Sequence, residues 1–227
     1  IFLRDPRTYG WSDNATTIPP ININYHPVEL TDEQKRIVAD KTGMLFATNL
    51  GGIASRTTLG QIAKGHYKGK SIPTNKPTKI AELVESWPTE STIIWCLYND
   101  EQRDLARMFP DAASIDGTTK IEKRLELIDD FKRGDRRVLI TKPKILGFGL
   151  NLQVATRQIF SGLQDSYEQF YQAVKRSNRI GSTLPLNVHI PLTDIEEPMV
   201  QNVMRKADRV ERDTIEQERL FRECSNV

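Results

Sequence analysis

The side chains best suited to phosphate chemistry in this sequence are one amide and two guanidinium groups, Gln172, Arg176 and Arg179. Their spacing of four and then three residues predicts one stripe of a helix. Two arginines and an amide on one face form a planar fork that suits a triphosphate. Taken alone, the spacing also fits a solvated basic face. The opposite side of this helix would contact the core through Tyr167, Phe170, Tyr171 and Val174.

Two further stretches are able to offer backbone amides to a phosphate. Gly147 and Gly149 leave the backbone unobstructed, and Asn151 follows them closely. Thr118 and Thr119 would cap the next helix and present hydroxyls and amides to an anion. Each signal is weak by itself, because glycines in a loop usually serve a turn and threonines before a helix are usually simple caps.

The order of four stretches along the chain is more specific than any one of them. They are residues 92–99, residues 115–134, residues 138–153 and residues 171–181. Together they resemble the C-terminal helicase lobe of the Swi/Snf-type branch of superfamily two, particularly its compact phage and bacterial forms. Residues 147–152 are similar to motif V, G-x-G-L-N-L, and residues 172–181 to motif VI, Q-A-x-x-R-x-x-R-x-G. The sequence departs from the family at Ser182, where Gln is common, and at residues 192–197, an imperfect G-T-I-D-E segment.

This resemblance implies a RecA-like lobe of an ATP-driven helicase or translocase that acts on DNA, duplex or partly single-stranded. Arg176 and Arg179 would be its catalytic arginine fingers, reaching a nucleotide across a cleft. ATP binding, or its coupling to DNA, would involve Gln172, Gly147, Gly149 and Asn151. Nucleic acid would be contacted by Asn99, Thr118, Thr119, Lys142 and Lys144.

The same resemblance implies that ATP and Mg²⁺ are held mainly by an N-terminal RecA-like lobe outside this sequence. Residues 65–71 look like a phosphate-binding loop, but three residues separate their glycines where four are needed. Asp32 and Glu33 are better explained as a helix start, with Thr31 and Gln34 as a capping box. We therefore expect the chain alone to be inactive. No metal site is predicted, because His26, His66 and His189 lack neighbours at metal-ligand spacing.

Two alternatives remain open from the sequence. One is an RNA helicase lobe of the same superfamily. The residues found at motifs V and VI argue against it. The other is a non-catalytic domain with the same fold that binds nucleic acid or regulates a partner.

Composition is that of a globular protein, with 38% hydrophobic and 27% charged residues and a net charge of +2. Charge is uneven, since residues 117–144 contain nine Lys or Arg against five acids, which suits a phosphate backbone better than a membrane. The longest apolar run is too short to span a bilayer, and neither cysteine has a plausible disulfide partner. We expect a cytoplasmic protein.

The elements that must position these residues alternate between helix and strand from residue 79 onward, which predicts an α/β fold with a mainly parallel sheet covered on both faces. Ligands would gather at the carboxyl ends of its strands. Residues 76–227 would form the RecA-like domain, and residues 1–75 a lead-in and linking helical segment that precedes it or packs on it. Residues 65–77, rich in Gly, Lys and Pro, are interpreted as a linker or exposed loop.

Overall fold

A computed structural model describes residues 18–45, 53–146, 150–163 and 166–206, together with positions 209, 212, 213 and 216. Eight strands are present in this part of the chain: β1 Ile21–Pro27, β2 His66–Tyr67, β3 Lys70–Ser71, β4 Thr92–Trp95, β5 Ala113–Ser114, β6 Val138–Thr141, β7 Arg157–Phe160 and β8 Leu186–Leu192. Six of them form one sheet in the order β1-β8-β7-β4-β6-β5, and all its neighbours are parallel. The predicted parallel sheet is confirmed.

Helices cover both faces of the sheet, as the alternation of elements predicts. They are α1 Asp32–Leu45, α2 Ile53–Ala63, α3 Lys76–Ser86, α4 Asn99–Met108, α5 Ile121–Arg133 and α6 Tyr167–Val174, followed by a 3-10 turn Asp194–Glu196 and a helix over residues 197–206. Ile93 and Trp95 of β4 pack with α5, α6 and the last helix, whereas Ile94 packs with α3 and α4. Successive side chains of a strand point to opposite faces, so the short apolar run of β4 contributes side chains to the hydrophobic clusters on both faces of the sheet.

The described part of residues 1–75 joins the sheet through β1 and contacts the Asp194–Glu196 turn through α2. β1 extends the sheet at the edge by pairing with β8, and α1 begins with the expected capping box, in which Thr31 and Gln34 exchange hydrogen bonds. Gln34 also donates to the carbonyl of Ile62, at 2.7 Å, and so ties α1 to α2. Residues 65–77 were interpreted as a linker or exposed loop; residues 68–71 are exposed, but the stretch also contains the antiparallel pair β2-β3 and the first turn of α3.

Two details of α6 differ from the sequence prediction. The helix ends at Val174, before Arg176 and Arg179, which were predicted to share its stripe with Gln172. Tyr171, expected to face the core, is 44% exposed. In α5 the buried residues are Leu127, Ile128 and Phe131, and positions i, i+1 and i+4 of a helix lie on one face.

Across the described residues, no helix combines the length and the apolar character that crossing a membrane requires.

Candidate functional site

The carboxyl edge of the sheet brings together three of the residues predicted to bind nucleic acid. Asn99 is the first residue of α4, which follows β4, and Lys142 and Lys144 follow β6, the strand paired with β4. The ammonium group of Lys142 donates a hydrogen bond to the side-chain oxygen of Asn99. Lys144 is exposed two residues further along the loop. A cation and an amide are therefore presented together at the edge where parallel sheets commonly bind ligands.

The two threonines after β5 serve a turn and do not cap α5. The N-cap of α5 is Lys120, which makes no side-chain capping bond. Thr118 and Thr119 each donate through backbone N–H and hydroxyl to one carboxylate oxygen of Asp116, over 2.7–3.0 Å. These bonds, chiefly the Thr118 hydroxyl, lower the pKa of Asp116. Arg124 adds bonds to the carbonyls of Asp116 and Thr119. Asp116 was missed from the sequence, although an Asp before Gly-Thr is a common turn signal.

Ion pairs neutralise much of the positive charge predicted for residues 117–144. Lys123 pairs with Glu126 at 2.7 Å, and Arg133 and Arg136 both pair with Asp130. The local positive surface therefore depends mainly on Lys142, which is bonded to the side chain of Asn99, and on the exposed Lys144.

The two predicted catalytic arginines lie at the opposite edge of the sheet. They occupy the turn between the end of α6 and the start of β8 at Leu186. Asn178 in this turn donates to the carbonyl of Pro19, two residues before β1 begins, at 2.7 Å. Because the strands are parallel, the chain enters all of them at this amino edge. The arginines therefore lie away from the carboxyl ends, where ligands were expected to gather, and their predicted placement on one helical stripe was wrong because α6 ends at Val174.

Arg176 and Arg179 differ in their surroundings. Arg176 is only 8% exposed; its guanidinium donates to the carbonyl of Leu146 at 3.2 Å, and its own carbonyl accepts from the N–H of Leu152 at 2.9 Å. Burial, with a contribution from the nearby Arg179, lowers the pKa of Arg176. Arg179 is exposed. Arg176 therefore holds the two ends of the segment 146–152, whereas Arg179 is the guanidinium presented to solvent.

The residues assigned to ATP binding or coupling are partly within the described chain. Gln172 is exposed near the end of α6. Asn151 is exposed and exchanges hydrogen bonds with Gln153, whose amide reaches the carbonyl of Ile180 at 2.8 Å. Asn151 and the arginine turn are thus neighbours through Gln153. Gly147 and Gly149 lie outside the described residues.

A buried charged cluster joins the linking segment to the C-terminal helix, and nothing in the sequence indicated it. The carboxylate of Glu196 accepts from Lys64 at 2.7 Å and from Lys76 at 2.6 Å, and all three side chains are at most 2% exposed. Burial alone would raise the pKa of Glu196, but the two ammonium groups lower it to about 2. Burial lowers the pKa of Lys76 to about 8. A Cβ on Gly162 would lie 2.3 Å from the Lys64 ammonium, so a larger residue there would displace that group from its present position.

Two histidines form a second polar cluster, near the edge strand. His26 and His189 share a hydrogen bond of 2.9 Å between ring nitrogens, and Trp87 stacks on His189 with a centroid distance of 4.5 Å. Burial, the neighbouring His26 and Arg157 lower the pKa of His189 to about 4. Within the described ranges, no group of three or more His, Cys, Asp or Glu side chains is arranged to hold a metal ion.

Comparison with known proteins finds a family model and solved structures that this chain resembles. Residues 75–181 match the family model "Helicase conserved C-terminal domain". The solved core of the Sulfolobus solfataricus SWI2/SNF2 ATPase in complex with dsDNA has a TM-score of 0.64 over 81% of this chain and 43% of that chain. Its sequence is 20% identical, so this likeness concerns the fold. The RecA-like fold expected from the sequence is confirmed.

Two curated relatives are each similar to about two fifths of the chain. "ATP-dependent helicase fft1" of Schizosaccharomyces pombe is 33% identical over 95 residues, which is 41% of this chain and 10% of that protein. "Helicase swr1" of Aspergillus fumigatus is 38% identical over 96 residues, 42% of this chain and 6% of that protein. Residues 75–181 are thus similar to a helicase C-terminal domain, and the chain spans a small fraction of the length of these relatives. These relatives are fungal and give no support to a phage or bacterial form.

Proposed function

We propose that this chain is the C-terminal lobe of an ATP-driven DNA helicase or translocase and works against an N-terminal RecA-like lobe. The observation that carries the proposal is an exposed arginine, Arg179, at the end of a motif VI sequence within a helicase C-terminal domain. An exposed guanidinium on a turn is suited to reach across a cleft to a phosphate.

Arg179 and Arg176 have different roles in this proposal. Arg179 supplies the arginine finger, because its side chain is exposed. Arg176 is buried and bonded to Leu146 and Leu152, so its main contribution is to hold these two residues, between which Gly147 and Gly149 stand in the sequence. A transferring phosphoryl group spreads negative charge over its oxygens, and a guanidinium beside it stabilises the transition state more than bound ATP.

ATP and Mg²⁺ would be held mainly by the N-terminal lobe, and bound ATP supplies the phosphoryl group whose transfer to water drives the motor. From this chain, Gln172 and Arg179 fit the phosphates. Both are exposed, and their amide and guanidinium groups are donors that suit phosphate oxygens. Asn151 is positioned to join this group through Gln153.

DNA would lie along the carboxyl edge, where Asn99, Lys142 and Lys144 are found. Lys142 follows β6 at this edge, whereas Gln153 is bonded to the arginine turn at the amino edge. One connection, between β6 and β7, therefore reaches both edges. A displacement of this connection by DNA would be transmitted to the turn that carries Arg179, which is how DNA would stimulate hydrolysis.

The test is ATP hydrolysis by a protein that contains both lobes, measured with duplex DNA, with RNA and without nucleic acid. We expect stimulation by DNA, and hydrolysis at the buffer rate for this chain alone. Arg179→Ala should lower kcat by about 10³- to 10⁵-fold with little effect on DNA affinity, and Arg179→Lys should rescue little. Arg107→Ala, which removes an exposed arginine paired with Asp104 on α4, is the matched control.

Three other outcomes would contradict the proposal. Stimulation by RNA but not DNA would indicate an RNA helicase lobe. Nucleic-acid binding without hydrolysis would indicate a binding or regulatory domain. A normal kcat in a folded Arg179→Ala variant would show that this arginine belongs to a solvated surface.

A further inference from the structure

One hydroxyl group closes the turn that carries Arg179. The Oγ atom of Ser182 accepts a hydrogen bond from the N–H of Arg179 at 3.1 Å and donates one to the carbonyl of Ser177 at 2.8 Å. The N–H of Ser182 also donates to the carbonyl of Arg179, at 3.0 Å. Residues 177–182 therefore form a closed loop in which the backbone of Arg179 is fixed from both sides.

Gly181 allows the chain to fold back in this way. Its φ is +92°, a conformation that residues with a Cβ rarely adopt. This brings Ser182 back over the turn, so that its hydroxyl meets the backbone at both residue 177 and residue 179. The Gln153 amide nitrogen lies 3.6 Å from the position that a Cβ on Gly181 would occupy.

Gln153 fastens the closed loop to the neighbouring segment. Its amide nitrogen donates to the carbonyl of Ile180 at 2.8 Å and contacts the Ser182 hydroxyl at 3.3 Å. Its amide oxygen accepts from Asn151, and its backbone N–H donates to the same Asn151 side chain. The hydrogen bonds of Gln153 to Asn151 on one side and to Ile180 and Ser182 on the other thus set the position of the Arg179 turn relative to residues 151–153.

We propose that Gln153 and Ser182 are positioning residues that hold the Arg179 guanidinium in line with its phosphate. This rests on the proposed function, in which Arg179 contacts the nucleotide. A displacement of about 1 Å at a reacting centre is able to lower a rate by about a hundredfold. Removing the side-chain bonds of Gln153 or of Ser182 would loosen the turn without changing the charge of Arg179. The rate of the chemical step should therefore fall.

The experiment measures DNA-stimulated ATP hydrolysis in the protein that contains both lobes. Ser182→Ala and Gln153→Ala should each lower kcat by about tenfold to a hundredfold and leave the KM for ATP within about twofold. Ser182→Thr keeps the hydroxyl and should restore most of kcat. Ser86→Ala is the matched control, since it removes a similar bond, from Oγ to the carbonyl of Leu83 at 2.7 Å, and should leave kcat unchanged.

A double-mutant cycle separates positioning from a general structural effect. In the Arg179→Ala background, Ser182→Ala should lower kcat no further, because the turn no longer carries a guanidinium group to be positioned. Independent, additive losses would overturn the positioning role and leave the proposed function intact. A normal kcat in Ser182→Ala and Gln153→Ala, with Arg179→Ala impaired, would do the same. A normal kcat in Arg179→Ala would overturn both. If Ser182→Ala does not fold, Gln153→Ala carries the same cycle.

Discussion

The buried cluster of Lys64, Lys76 and Glu196 allows a sharp stability prediction for Glu196→Gln. The substitution keeps the shape of the side chain and removes the charge that both ammonium groups contact at 2.6–2.7 Å. Lys76 would keep its bonds to the carbonyls of Ser161 and Pro191, and Lys64 its bond to Gly60. Two buried ammonium groups would then lack a direct counter-charge, and that is the main source of the expected loss.

Two lines of reasoning give a similar magnitude. The pKa of Glu196 falls from 4.5 to about 2 on folding, which corresponds to about 3 kcal/mol at about 1.4 kcal/mol per pH unit. Removing one partner of a buried ion pair costs about 3–5 kcal/mol in general. The pKa of Lys76 is already lowered to about 8, so this lysine is able to lose its proton in the variant. Its neutral form would reduce the loss in the free energy of unfolding. We therefore expect Glu196→Gln to lower the free energy of unfolding at pH 7 by about 3 kcal/mol.

The pH dependence has a definite sign. A carboxyl group whose pKa is lowered by folding contributes stability that is fully present above pH 4.5 and is lost as the pH falls towards 2. The difference between wild type and Glu196→Gln should therefore shrink over this range. Urea unfolding at several pH values measures it, with Glu197→Gln as the control because its side chain is exposed. A difference below about 1 kcal/mol at pH 7 would refute the reasoning.

Three further predictions concern other parts of the lobe. Arg176→Ala should lower the free energy of unfolding by about 1–3 kcal/mol, because the buried carbonyl of Leu146 loses its donor, whereas Arg179→Ala should change it by less than about 0.5 kcal/mol; urea unfolding compares the two. The pKa of His189 is lowered to about 4, so the stability it contributes is present above pH 6.5 and lost as the pH falls from 6.5 to 4. His189→Gln should flatten that part of the unfolding profile, and an unchanged profile would contradict the assignment. Lys142→Glu and Lys144→Glu should each reduce the salt slope of duplex DNA binding by about 0.9 per lost phosphate contact; a titration that leaves both slope and affinity unchanged would exclude this edge.

The sequence by itself determined the class of fold, because the signals for each element are local. The run at residues 93–95 is apolar at every position, as a strand covered on both faces requires. Thr31 and Gln34 lie three residues apart, so their capping box follows from spacing alone. The order of the four motif stretches then indicated a helicase C-terminal lobe, and residues 75–181 match that domain.

Only the tertiary structure decided which charged side chains are buried and which are presented to solvent. Lys76 was interpreted as part of an exposed loop, yet its partner Glu196 lies 120 residues away in sequence and brings it into the interior. Arg176 and Arg179 look equivalent in the motif, but α6 ends before both; Arg176 is buried and bonded to the carbonyl of Leu146, whereas Arg179 is exposed. The free-energy cost of burying a charge depends on partners that are distant along the chain, and these partners cannot be inferred from a local pattern of residues.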